Sequence, residues 1–129
     1  MKNYHAHYVK IVRDMPHDLH RVVGLVLTDH IGKKMSISRQ NLRLAVSRLE
    51  FGAEDRQIRE AIKQLRRRGW LICSSAGSGG YFLAADLAEF IEFDRQEFES
   101  KITDMSITRN AMKKAAEEQL GNSYQMELI

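Results

Sequence analysis

The sequence predicts a mainly α-helical fold with one small β-hairpin and a long C-terminal helix. Three observations carry that expectation. Apolar residues recur at the three-and-four spacing of a helical face in three successive segments between residues 19 and 65. Two short β-rich runs, Trp70-Leu71-Ile72-Cys73 and Tyr81-Phe82-Leu83-Ala84, flank seven small, flexible residues. Beyond Asp86, apolar side chains return every seven residues as far as Met112.

The opening, Met1 to Met15, is mixed. Tyr4, Ala6 and Tyr8 alternate, whereas Val9 to Val12 is apolar around Lys10, so a strand and a helical lead-in both fit. Pro16, His17 and Asp18 then supply helix-start chemistry. Leu19, Val22, Val23, Val26, Leu27, His30 and Ile31 mark the inward face of a first helix that Gly32 stops. Met35-Ser36-Ile37 is a short extended link. Ser38 caps a second helix with Leu42, Ala45, Val46 and Leu49 inward, and Gly52 gives the freedom for a sharp turn. Asp55 caps a third helix that runs to Arg68, with Ile58, Ala61, Ile62 and Leu65 facing the core and Gly69 ending it. The two β-rich runs form a hairpin with a loose glycine-serine tip. Asp86 caps the last element, which extends to Leu120 before Gly121-Asn122-Ser123, and Tyr124 to Ile129 is a frayed or docking tail.

Composition narrows the function classes. The chain has 129 residues, 43% hydrophobic and 29% charged, as an ordinary globular domain does. Its longest apolar run, Val22 to Leu27, is far short of the ~20 residues a membrane span needs. Met1 to His5 lead into no apolar signal region, and one cysteine, Cys73, supports neither an intrachain disulfide nor a CxxC metal site. The expectation is a soluble, cytoplasmic, single-domain protein. The net charge of +3 conceals an asymmetry: residues 1–85 hold fifteen Lys/Arg against seven Asp/Glu, and residues 86–129 hold five against ten. A basic domain (1–85) joined to an acidic helical extension (86–129) suggests a polyanion binder with an appended segment.

The third helix carries the chemistry. Its stretch 55–68 has six basic and two acidic side chains. Arg56, Arg59, Lys63, Arg66 and Arg67 gather on a sector away from the apolar face, so one side can pack while the other offers guanidinium forks to a duplex. Arg is suited to phosphate and to guanine edges, and Gln57, near the helix start, to adenine; Gln57 and Arg59 are the candidates for base contacts. Arg39 and Arg43 on the second helix, with Lys33 and Lys34 before it, are candidates for positioning the phosphate backbone. The order of helix, link, helix, Gly-containing turn, helix and hairpin is the plan of a winged helix-turn-helix.

The residues also resemble a known family. Asp55-Arg56-Gln57-Ile58-Arg59-Glu60-Ala61-Ile62, then Leu65-Arg66-Arg67-Arg68-Gly69 and Gly79-Gly80-Tyr81-Phe82-Leu83-Ala84, resemble the winged helix-turn-helix proteins common in bacteriophages and prophages. The resemblance covers roughly residues 17 to 95. It implies that helix 55–68 is the recognition helix and that Gly77 to Gly80 form the wing tip. The tip departs from many DNA-binding wings in having no Lys or Arg. Because such domains serve as repressors, replication factors and docking modules, the resemblance implies transcriptional control or replication initiation without choosing between them.

In the last element Ile91, Phe98, Met105 and Met112 fill one heptad position, and Ala88, Arg95, Ile102, Arg109 and Ala116 the other. Ile91, Phe98, Ile102, Met105 and Met112 are the expected dimer interface of a helix about 50 Å long, unless Ser106 to Thr108 break it into two that fold back. A dimer would present two recognition helices to a palindromic site.

The five histidines have no Cys or carboxylate cluster to complete a metal site, Gly77-Ser78-Gly79-Gly80 lacks the Lys-Ser/Thr and the following helix of a phosphate loop, and no catalytic triad or carboxylate pair stands out. No cofactor, metal or enzymatic activity is expected. Cys73 and Trp70 are expected to be packed. The expected function is sequence-specific binding of double-stranded DNA by a homodimer; the rival reading keeps the same scaffold but docks it on a protein partner, which the uncharged tip and the acidic helix favour.

Overall fold

A computed structural model of the chain describes residues 4–14, 18–49, 52–75 and 80–121. The expected Pro16 start, most of the hairpin tip (76–79) and the tail from 122 lie outside the described residues. The chain divides into two compact units, Met1–Phe93 and Asp94–Ile129.

The first unit is mainly helical with one two-stranded sheet. The ambiguous opening is a helix, α1 (Tyr4–Asp14). Tyr8 and Val12, one turn apart, are buried in the core, and that packing settles the mixed local signal. α2 (Leu19–Leu27) starts at Asp18, whose carboxylate accepts the Arg21 N–H at 3.1 Å. It stops earlier than its apolar spacing implies. Leu83 N–H donates to the His30 carbonyl at 2.8 Å, and Gly32 N–H to the Leu83 carbonyl at 2.7 Å, so this backbone is taken by a strand edge. Gly32, at φ +94°, is therefore not the helix stop; it leads into a 3-10 turn, Lys33–Met35, so of the expected extended link Met35-Ser36-Ile37 only Ser36 and Ile37 are extended, Ile37 bridging to Tyr81.

Ser38 caps α3 (Arg39–Arg48) as expected, its hydroxyl accepting the Asn41 N–H at 3.1 Å. Leu42 and Val46 are buried, whereas Leu49, expected inward, is 44% exposed because the helix has already ended at Arg48. α4 (Asp55–Arg67) is capped one residue earlier than expected, by Glu54, and Gly69 follows it at φ +96°, the left-handed conformation that suits a helix end. Ile58, Ala61, Ile62 and Leu65 of α4 join Val22, Val23 and Leu27 of α2 and Leu42 and Val46 of α3 in one core.

β1 (Ile72–Ser74) and β2 (Tyr81–Leu83) pair antiparallel, with Ile72 opposite Leu83 and Ser74 opposite Tyr81. Ile31 and Ile37 bridge to the other edge of β2, covering backbone groups that would otherwise be exposed. Trp70 is buried, with its ring 4.7 Å from that of Tyr8. α5 (Leu87–Asp94) lays Phe90 and Phe93 against Cys73, Phe82 and Ala84, so this part of the acidic extension belongs to the first unit.

A π-helical turn, Arg95–Glu99, precedes α6 (Ser100–Leu120). α6 passes through Ser106–Thr108 without interruption, so the expected alternative of a break there does not occur. The wider π turn does interrupt the 3.6-residue period, so a seven-residue count begun at Ile91 does not carry through to α6. No helix among the described residues is long and apolar enough to cross a membrane.

Candidate nucleic-acid interface

α4 separates its two faces sharply. Ile58, Ala61, Ile62 and Leu65 are at most 2% exposed, while Arg56, Arg59, Lys63 and Arg67 are all exposed. At 100° per residue these four cations lie within about 80° of one another. Arg68, just past the helix end, is exposed as well.

The N-terminal turn is more occupied than the sequence implied. Gln57 Oε1 accepts the Glu54 N–H at 2.9 Å, so the side chain expected to read adenine is engaged in capping its own helix. Asp55, expected only as a cap, instead joins α3 to α4. Its carboxylate accepts from Arg39 Nη2 at 2.9 Å and from Arg59 Nε at 3.1 Å. The Arg39 hydrogen bond, with the charges of Arg39, Arg59 and Arg43 behind it, outweighs burial and holds the Asp55 carboxyl below its ordinary range. The same bond raises the Arg39 guanidinium above its usual value. Glu60, also on the outer face, accepts from Gln64 Nε2 at 3.0 Å. That bond, and then the charge of Lys63, keep it ionised to lower pH than usual. The basic surface thus contains two carboxylates, each with a positive or polar neighbour.

Arg66 departs from the expected set. It is half-buried, its Nε donates to the Ile72 carbonyl at 2.8 Å, and its guanidinium carbon lies 5.0 Å from the centre of the Phe93 ring. It ties α4 to the hairpin and α5 rather than facing outward with Arg67. Its position on the wheel explains this, since it lies only about 40° from Ile62. Lys33 is likewise turned to an internal role: its Nζ pairs with Glu92 at 3.2 Å and its N–H donates to Glu89 at 2.9 Å. Arg43 and Lys34 are exposed.

The structure therefore brings Arg39, Arg56, Arg59, Lys63 and Arg67 to α4 and the adjoining start of α3, and withdraws Arg66. The Asp55 ion pairs were missed, although Asp55 and Arg59 have the four-residue spacing of a helical salt bridge. Cys73 is fully buried, and that burial pushes its thiol up to about 11, against the opposing charge of Arg66. A thiol so protonated is a poor nucleophile. Among the described residues no three His, Cys, Asp or Glu side chains are grouped to hold a metal.

The expected dimer residues divide between the two units. Ile91 is on α5 and is 37% exposed; Phe98, in the π turn, is 43% exposed; Ile102, Met105 and Met112 lie on α6 and are each more than 60% exposed. No protein-family model, no curated protein and no solved structure matches the chain.

Proposed function

We propose that the chain is a winged helix-turn-helix protein that binds double-stranded DNA sequence-specifically, with α4 as its recognition helix. The observation that carries this reading is the exposed row Arg56–Arg59–Lys63–Arg67 on a helix whose opposite face is fixed in the core. The three packed helices α2, α3 and α4, followed by a hairpin, support the winged reading. A helix about 10–12 Å across fits a major groove about 12 Å wide, and the row then meets phosphates and base edges together. Arg59, steered by Asp55, is the base-reading residue. Gln57 joins it only by giving up its bond to Glu54. Arg39 and Arg43 meet the phosphate backbone beside α3. The likeness to phage and prophage proteins supports a role in transcription control or replication initiation.

The test is fluorescence anisotropy of a labelled random duplex across salt. Affinity is expected to fall steeply as salt rises. Lys63→Glu with Arg67→Glu is expected to weaken binding at least about tenfold and to flatten the salt slope by about two, one for each lost phosphate contact. Absence of binding at low salt would overturn the reading and direct the search to protein partners by pull-down.

A further inference from the structure

α6 buries none of its 21 residues, and its apolar side chains are shared between two faces, with Ile107 on one and a longer row on the other. At 100° per residue Ile102, Met105, Met112, Ala116 and Leu120 fall within about 80° of arc. Ile102 is 63% exposed, Met105 72%, Met112 68% and Leu120 76%. Arg109 lies inside the same row, midway along it.

We propose that this row is a self-association surface whose occupant is the same helix of a second copy, running antiparallel. The proposal is independent of DNA binding. Size is the first argument. Covering the row on both copies removes on the order of 1,000 Å² from water, the least that a specific interface needs. Orientation follows from Arg109. In a parallel pair every residue meets its own counterpart, so the central layer sets Arg109 on Arg109, like charges face to face in an apolar seam. The layers on either side set Met105 on Met105 and Met112 on Met112, both crowded, and the layer beyond Met112 leaves Ala116 against Ala116, nearly empty.

Reversal of one helix resolves both problems. Arg109 then lies against the thioether of Met112 of the second copy, and its stem packs while its charge reaches water. Met105 faces Ala116 of the second copy, a large side chain opposite a small one, which fills the seam evenly.

Light scattering on the full-length chain is expected to give twice the 14.9 kDa chain mass. Met112→Glu, at a position 68% exposed on the single helix, is expected to return it to one chain mass. Orientation is read by oxidation of Met105→Cys and Ala116→Cys chains, one carrying a mass tag. The mixture is expected to give a disulfide between the two different variants, and Met105→Cys alone to give none. A single-chain mass for the unaltered protein overturns the proposal, and so does disulfide formation by Met105→Cys alone, which reports a parallel pair. Neither readout involves DNA, so failure here leaves the α4 reading standing.

Discussion

Asp55 sits where the first turn of α4 meets the first turn of α3, with Arg39 and Arg59 converging on its carboxylate. One anion fixes two guanidinium forks that would otherwise sweep a wide volume, and the entropy is lost before any ligand arrives. The pair is partly exposed, so its contribution to folding is modest and screened. Its pH dependence is nevertheless definite in sign. The folded carboxyl titrates below the ordinary 3.8. The stability it provides is therefore complete above that pH and is lost as pH falls through the lower, folded value. Urea denaturation from about pH 5 to about pH 2 is expected to show a shallower acid decline in Asp55→Asn than in the unaltered chain. Equal slopes would mean that Asp55 is no more ionised in the folded chain than in the unfolded one. Arg66 illustrates the same principle with the opposite consequence for the interface: a cation with a carbonyl and an aromatic face in reach spends its charge inside the molecule.

At the scale of elements, α2 and Trp70 define how the first unit closes. A Cβ on Gly24 would come within 2.8 Å of Trp70 Cη2 and 3.3 Å of Cζ2 and Cζ3, so the indole rests directly on helix backbone. The Tyr8 ring also packs on the indole, with ring centres 4.7 Å apart, so any shift of the indole disturbs that contact too. Gly24→Ala gains about 1 kcal/mol in helix propensity but forces an overpacked core that costs about 1–3 kcal/mol. The expected net result is a loss of roughly 1 kcal/mol, read as a lower urea midpoint; a raised midpoint would show that the ring moves aside. The elements legible in the sequence are those whose determinants are local. α3 and α4 have a 3.6-residue apolar period with Ser38 at one start and Gly69 at one end, and the hairpin has two β-rich runs around small residues. The end of α2 was illegible because His30 and Ile31 keep helical spacing while β2, fifty residues further along, claims their backbone. The acidic pair Glu54-Asp55 left the cap of α4 uncertain by one residue, and with it the roles of Asp55 and Gln57. Arg66 was readable in principle from its angle beside Ile62, but its partners, Ile72 and Phe93, are tertiary. The π turn left no mark in the apolar spacing, which runs on through it.

Across the whole molecule, the buried core and the longest run of exposed apolar side chains lie in different stretches of chain. Every buried residue among those described lies at or before Phe93, whereas α6 exposes Ile102, Met105, Met112 and Leu120. A chain ended after Asp94 therefore keeps the core, the hairpin and the Phe90–Phe93 packing of α5. The discarded residues, 95–129, hold five Lys/Arg and six Asp/Glu, so their removal barely changes the charge that a duplex meets. The shortened chain is expected to melt within about 4 °C of the full one, a shift equivalent to less than about 1 kcal/mol. On a duplex with one half-site of a sequence selected by the full chain, the two are expected to bind equally. With two half-sites, linkage of two recognition helices converts the second contact into an intramolecular one worth a factor of about 100 or more. Only the full chain is expected to show that gain in anisotropy titrations at fixed salt. Equal binding by both chains to the two-site duplex would mean that α6 contributes nothing to DNA recognition, whatever its oligomeric state. A large fall in melting temperature would instead place part of the folding energy beyond Asp94.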